Sequence, residues 1–271
     1  MMRVEGVRYV ELGKTRERIS EIGLGTWKMG RDEAGEIGAL RAGMKAGVSL
    51  IDTAEMYGTE ELVGHAIRGG YDAFVTTKVT PTHFRYEQVL KACHASLKRL
   101  HMKSIDLYQL HWPNPGIPIA ETMEAMEKLV AEGKIRHIGV SNFSLAELEE
   151  AQAAMKRNEI VSNQVEYSIF VRDVEKGLLQ YCRKEHISVI AYSPLARGRL
   201  FMKSNTKLHQ ALAGIGRARG KTATQVALNW LMTKGAVPIP KASDKDHVLE
   251  LVGSCGWNLS QKEMAAVDSF L

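Results

Sequence analysis

Apolar residues along this chain fall into two alternating patterns. Short apolar runs recur eight times, as IGLGT at 22–26, VSLID at 48–52, AFVTTK at 73–78, IDLYQL at 105–110, IRHIGV at 135–140, IVSNQ at 160–164, ISVIA at 187–191 and AVPIP at 236–240. Runs of this length predict strands. Between them the period changes: Val89, Leu90, Cys93, Leu97 and Leu100 return every three or four residues and mark one face of a helix over 86–100. The segments 119–132, 144–157, 174–185 and 222–234 read the same way, and Ser144 with Glu147 forms a capping-box signature. Strict alternation of strand and helix implies a parallel sheet, and eight units predict an α/β fold of the (β/α)8 TIM-barrel class, one domain over residues 1–271. An open doubly wound sheet is the alternative.

Three additions to a minimal barrel are expected. Residues 7–20 contain a turn near Gly13 and Lys14 and predict a β-hairpin that plugs the N-terminal end of the barrel. The interval between the last two strands leaves room for a loop at 193–206 and one extra helix. After the last strand, 244–253 and 260–269 predict two further helices, with no long tail beyond them.

Composition narrows the class. With 45% hydrophobic and 25% charged residues the chain has ample material for a core. The N-terminal stretch lacks an apolar signal core, and no segment approaches the roughly 18 uncharged apolar residues of a membrane span. A cytoplasmic protein with no membrane partner is expected. Cys93, Cys182 and Cys255 show neither a disulfide framework nor metal-ligand spacing, so no metal is predicted. The net charge of +5 is unevenly spread: from His186 to Ser243 there are nine Lys and Arg and no acidic residue. A polyanion, either a nucleic acid or a phosphorylated small molecule, is the partner such a field attracts.

In barrels of this kind the chemistry sits at the C-terminal ends of the strands. Asp52 ends the second predicted strand, Tyr57 follows in its loop, Lys78 ends the third and His111 follows the fourth. A phenol is a reluctant proton donor at neutral pH, and a nearby ammonium lowers its pKa. Lys78 suits that role, with Asp52 as its counter-ion, and His111 can polarise a substrate carbonyl. The set is an acid with an electrophilic pocket and no nucleophile, which points to a cofactor as the bond-making partner. A Rossmann fingerprint is missing: Gly214, Gly216 and Gly220 have one residue too many. Barrels instead bind phosphate at the loops after strands seven and eight, which the basic stretch spans.

These residues, with GVSNF at 139–143, NQVEY at 163–167, AYSPL at 191–195 and IPKAS at 239–243, resemble the aldo-keto reductases, NAD(P)H-dependent carbonyl reductases on this barrel. The resemblance, to a prokaryotic-type, short-loop member, covers essentially the whole chain. It implies reduction of aldehydes and ketones with Tyr57 as general acid, tuned by Lys78 and Asp52, and with His111 orienting the carbonyl. It further implies that Ser141, Asn142 and Gln164 hold the nicotinamide carboxamide and that Tyr192 stacks on the ring. Ser193, Leu195 and Arg197 would follow the pyrophosphate, with Lys241, Ser243, His247 and Glu250 around the adenosine phosphate. Trp27 and Trp112 would wall the substrate pocket.

Two positions depart from the family pattern, since many NADPH-preferring relatives carry arginine and asparagine where this chain has His247 and Leu251. NADPH remains the expected cofactor, with NADH possible, because Lys241 persists and no acid is expected near it to take a ribose hydroxyl. Histidine is mostly neutral at pH 7, so NADPH affinity is expected to rise below about pH 6.5. Short loops after strands four and seven imply an open site for small carbonyl compounds. A monomer or weak oligomer is expected. Two other classes compete: a cofactor-binding regulatory or partner subunit with little turnover, which intact catalytic residues oppose, and a nucleic-acid binder, which lacks a recognition motif.

Overall fold

A computed structural model describes residues 6–270; residues 1–5, which begin the polar N-terminal stretch, and Leu271 lie outside the described residues. Strands β1 (Tyr9–Glu11) and β2 (Arg18–Ser20) form an antiparallel hairpin. Eight parallel strands follow in sequence order around the barrel: β3 (Gly23–Gly25), β4 (Leu50–Asp52), β5 (Phe74–Val79), β6 (Ile105–Leu110), β7 (Ile135–Ser141), β8 (Ile160–Glu166), β9 (Ser188–Tyr192) and β10 (Ala236–Pro238). Every apolar run is a strand, with ends shifted by no more than two residues.

The barrel closes between β3 and β10, where the Gly25 amide donates to the Pro240 carbonyl at 3.0 Å. Glycine is needed at this seam. A Cβ on Gly23 would stand 2.8 Å from the Ile239 side chain, and one on Gly25 would stand 3.0 Å from the Ile239 carbonyl oxygen. The first and last strands approach as closely as they do because β3 offers backbone alone.

Among the described residues ten helices surround the strands: α1 (Glu33–Lys45), α2 (Glu60–Ile67), α3 (Tyr86–Leu100), α4 (Ile119–Ala131), α5 (Leu145–Ala154), α6 (Leu178–Lys184), α7 (Thr206–Arg217), α8 (Ala223–Thr233), α9 (Lys245–Val252) and α10 (Gln261–Asp268). The capping box at Ser144 is formed, and two more start α8 and α10. Helix α6 is shorter than the pattern over 174–185 predicts, because Gly177 at φ 111° separates it from a single turn at Asp173–Glu175. The extra helix between β9 and β10 is α7, and it contains Gly214 and Gly216.

The core has two parts. The larger fills the space between strands and helices, and the smaller lies inside the barrel. There Leu12 and Ile19, from the hairpin segment, pack on Leu50, Phe74, Leu107, Ile190 and Val237. The hairpin therefore caps the N-terminal end as the sequence predicts. Neither Leu12 nor Ile19 has any solvent exposure, so each stabilises the cap by about 1.5–3 kcal/mol through burial. The cysteines are buried and unpaired, and burial pushes their thiols up to about 12. Among the described residues no helix is long and apolar enough to cross a membrane.

Candidate active site

Strands β4, β5 and β6 are neighbours, and their registers bring their C-terminal ends together. Asp52 and Lys78 project from the first two, and His111 follows the third. Tyr57 lies on a short 3-10 turn, Glu55–Tyr57, ended by Gly58 at φ 69°. The Lys78 ammonium, wholly buried, donates to Asp52 Oδ2 at 2.8 Å and to the Thr53 carbonyl at 2.9 Å. Asp52 Oδ1 accepts from Gln164 Nε2 at 2.8 Å. Burial pushes the Asp52 carboxyl up and the Lys78 ammonium down, while their mutual attraction opposes both shifts. Without its partner, either charge would be strongly disfavoured here.

Lys78 Nζ lies 4.9 Å from the centre of the Tyr57 ring, and the phenolic oxygen is 3.4 Å from His111 Nε2. The expected lowering of the phenol pKa by Lys78 is not found. Burial, reinforced by the Asp52 charge, raises it above the ordinary value. Two of the three ammonium donors go to Asp52 and Thr53, and the ammonium lies beside the face of the ring, while burial dominates at the phenol. Tyr57 thus stays protonated at neutral pH. His111 is driven the other way, to about 3, first by burial and then by the Lys78 charge, so its imidazole is neutral. Its ring stacks on Trp112 with centroids 4.0 Å apart, and its buried Nδ1 has no hydrogen-bond partner among the described residues.

A second network continues around the barrel. Ser141 ends β7 and donates to the Gln164 carbonyl at 2.8 Å. Asn142, at φ 63°, donates through Nδ2 to the His111 carbonyl at 2.9 Å and to Ser141 Oγ at 3.1 Å. Its Oδ1 accepts from the Tyr192 hydroxyl at 2.8 Å, and burial pushes that phenol up to about 12. Ser141, Asn142, Gln164 and Tyr192 are therefore one connected set with Asp52 and His111.

A cavity of about 500 Å³ opens above these groups, lined by Asp52, Tyr57, Tyr192, Trp27 and Trp112, by Ser193, Leu195 and Arg197 after β9, and by Lys241 after β10. Its size is that of a small-molecule site. Trp27 and Trp112 are 43% and 40% exposed, so they are walls of the cavity and not core indoles. The loop after β9 turns sharply, with Ser193, Ala196 and Arg197 all in the left-handed region at φ 49°, 47° and 54°. Its Arg197 guanidinium lies 5.5 Å from the Trp27 ring, which Lys28 also faces at 4.4 Å.

Ser243, His247 and Glu250 do not line this cavity. Glu250 accepts from the Thr222 hydroxyl at 3.0 Å, and Leu251 is core. Asp244, three residues beyond Lys241 in the sequence, caps α9 by accepting from the His247 amide at 3.0 Å and pairs with the His247 ring. The basic stretch also proves less concentrated than its sequence suggests. Arg219 is bound to Glu263 and Lys234 to Asp268, and of its nine cations only Arg197 and Lys241 face the cavity. Sequence reasoning missed Lys28 as a lining residue, although its place just beyond β3 could have flagged it. The Thr53 carbonyl, being backbone, gave no signal.

Known proteins share this sequence and fold. The profile of the aldo/keto reductase family matches residues 21–271. Methylglyoxal reductase YeaE of Escherichia coli (strain K12) is 41% identical over 257 residues, covering 91% of this chain and 89% of that protein. The fold matches a thermostable aldo-keto reductase crystallised with the inhibitor epalrestat, with a TM-score of 0.91, 42% identity and 97% and 99% of the two chains covered. It also matches an aldo/keto reductase from Klebsiella pneumoniae in complex with NADP and acetate, with a TM-score of 0.86, 40% identity and 98% and 95% coverage. The chain belongs to the aldo/keto reductase family.

Proposed function

We propose that this protein reduces small aldehydes and ketones to alcohols with NADPH, using Tyr57 as the general acid. The observation that carries this reading is the convergence of the Tyr57 hydroxyl and His111 Nε2, 3.4 Å apart, at the edge of a cavity that Tyr57 and Asp52 line. A carbonyl oxygen placed between them meets two donors. The bound nicotinamide supplies the hydride that reaches the carbonyl carbon. As negative charge develops on oxygen, Tyr57 gives up its proton to form the O–H bond, and the phenolate is later reprotonated from solvent. Neutral His111 orients the oxygen by donating from Nε2, and the low pKa set by its burial keeps it from acting as the acid. Lys78, anchored by Asp52, holds positive charge 4.9 Å from the ring that becomes phenolate.

The cavity and the polar network beside it suit a dinucleotide. Among the lining residues Tyr192 offers an aromatic face and Arg197 and Lys241 offer cations for phosphates, while Ser141, Asn142 and Gln164, behind that lining, carry amide and hydroxyl groups of the kind a carboxamide pairs with. NADPH is favoured over NADH through Lys241. His247 contributes less than its position suggested, because Asp244 holds its ring. The methylglyoxal reductase relative and the open, aromatic-walled cavity support small dicarbonyls as the first substrates to try.

The test is consumption of NADPH and NADH with a panel of aldehydes, ketones and methylglyoxal, for wild type and Tyr57→Phe. Expected is turnover with NADPH that falls by at least about 100-fold in the variant while cofactor binding persists. Tight cofactor binding with no turnover on any carbonyl would overturn the reading in favour of a sensing or partner-subunit role.

A further inference from the structure

Outside the cavity, three helices bring a second set of chemically competent side chains together. On α2, Glu61 and His65 are four residues apart and share a face. Helix α3 ends at His101, whose left-handed φ of 55° turns the chain. Gly64 allows the two helices to meet: a Cβ there would stand 2.7 Å from the Leu100 carbonyl oxygen and 2.9 Å from that of Arg99. As a result the His65 and His101 rings stack with centroids 5.6 Å apart and planes within 12°. One ligand atom from each of Glu61, His65 and His101 lies within 4.8 Å of the others.

The third helix supplies orientation. His65 Nδ1 is 3.0 Å from Glu33 Oε1 at the start of α1. With Nδ1–H donating to that carboxylate, Nε2 keeps its lone pair free. This is the carboxylate–histidine arrangement that orients imidazole ligands and raises their basicity.

We propose that Glu61, His65 and His101 bind a divalent transition-metal ion of the zinc class, with Glu33 as the positioning residue for His65. Two imidazoles and a carboxylate suit such an ion, whereas magnesium and calcium call for oxygen ligands. Bonds of about 2.0–2.1 Å require ligand atoms roughly 3.3 Å apart, so the side chains close in by about 1.5 Å. Glu61 and His101 are exposed and His65 partly so, which leaves them room to rotate. Three protein ligands leave a fourth position to water. Glu33 and Glu61 provide two negative charges, against the Arg41 guanidinium, which donates to the His65 and Ala66 carbonyls at the end of α2. The bound ion ties α2 to the end of α3. The first residue of α2, Glu60, accepts from Thr77 beside Lys78 at 2.6 Å, so the tie supports the segment that carries Tyr57.

The experiment uses untagged, metal-stripped protein titrated with Zn²⁺ by calorimetry and with Co²⁺ by visible absorption. His65→Ala, His101→Gly and Glu33→Ala are run in parallel; glycine keeps the left-handed turn at position 101. Expected for wild type are one Zn²⁺ per chain, a cobalt spectrum of nitrogen and oxygen ligation, and a melting temperature that rises with Zn²⁺. Either histidine variant should lose binding while keeping its helical circular dichroism, and Glu33→Ala should weaken it about tenfold or more. No Zn²⁺ bound by wild type, or equal binding by both histidine variants, overturns the proposal.

Discussion

The protonation states of Tyr57 and His111 follow from burial and not from any special chemistry of the side chains. Both lose solvent, and loss of solvent favours the neutral form of each, so the phenol rises and the imidazole falls. The His111 shift has a consequence for the whole chain. In the folded protein its imidazole takes a proton only near pH 3, whereas in the unfolded chain it does so near its ordinary value of 6.5. Between those two values the unfolded state binds a proton that the folded state does not. The stabilisation is therefore complete above pH 6.5 and declines as pH falls toward 3, by about 1.4 kcal/mol per pH unit for one such proton. Urea unfolding of wild type between pH 6.5 and 4.5 should show this slope, and His111→Gln should lack its share. Equal slopes for the two proteins would mean that the imidazole is not held neutral.

At the scale of elements, glycine placement decides what the pattern of apolar residues reveals. The strands and helices α3 and α4 were legible because apolar runs and faces defined them, and α5 because a capping box marks its start. Helices α1 and α2 were not, since Gly35, Gly38, Gly43 and Gly64 interrupt their faces and carry no helical signal. Two of these glycines serve close packing: a Cβ on Gly43 would stand 2.5 Å from Leu24 Cδ1, and Gly64 abuts the end of α3. The quartet proposed as catalytic was legible because Asp52, Lys78 and His111 sit at or just past strand ends and Tyr57 in the loop after one. The turn after β9 was visible only as a loop, because nothing in their identities tells that Ser193, Ala196 and Arg197 adopt left-handed backbone. Gly64→Ala tests the packing argument against propensity. Alanine favours helix over glycine by about 1 kcal/mol, yet the added methyl would meet two carbonyl oxygens under 3 Å. We expect net destabilisation of about 1–3 kcal/mol by urea unfolding; a gain in stability would show that α2 and α3 separate at little cost.

Across the whole molecule, the two ends of the barrel divide stability from chemistry. At one end Leu12 and Ile19 fill the interior with apolar contacts from strands all around the barrel. At the other, the strand ends carry buried polar groups whose pairing depends on the same strands keeping their registers. The plug therefore supports the Asp52, Lys78 and Gln164 network through the strands between them, and the apolar cluster it belongs to reaches the cavity at Ile239 and Tyr192. Ile19→Ala removes a side chain with no exposure and leaves a cavity, at a cost of about 2–5 kcal/mol. Urea unfolding should show that full loss. Steady-state kinetics at a temperature where the variant remains folded should give kcat and KM within about twofold of wild type, because a cavity in a rigid barrel relaxes mainly among its immediate neighbours. A large fall in kcat with stability intact would place the plug in direct communication with Tyr57. That result would replace the division between the two ends with a barrel whose interior layers move together.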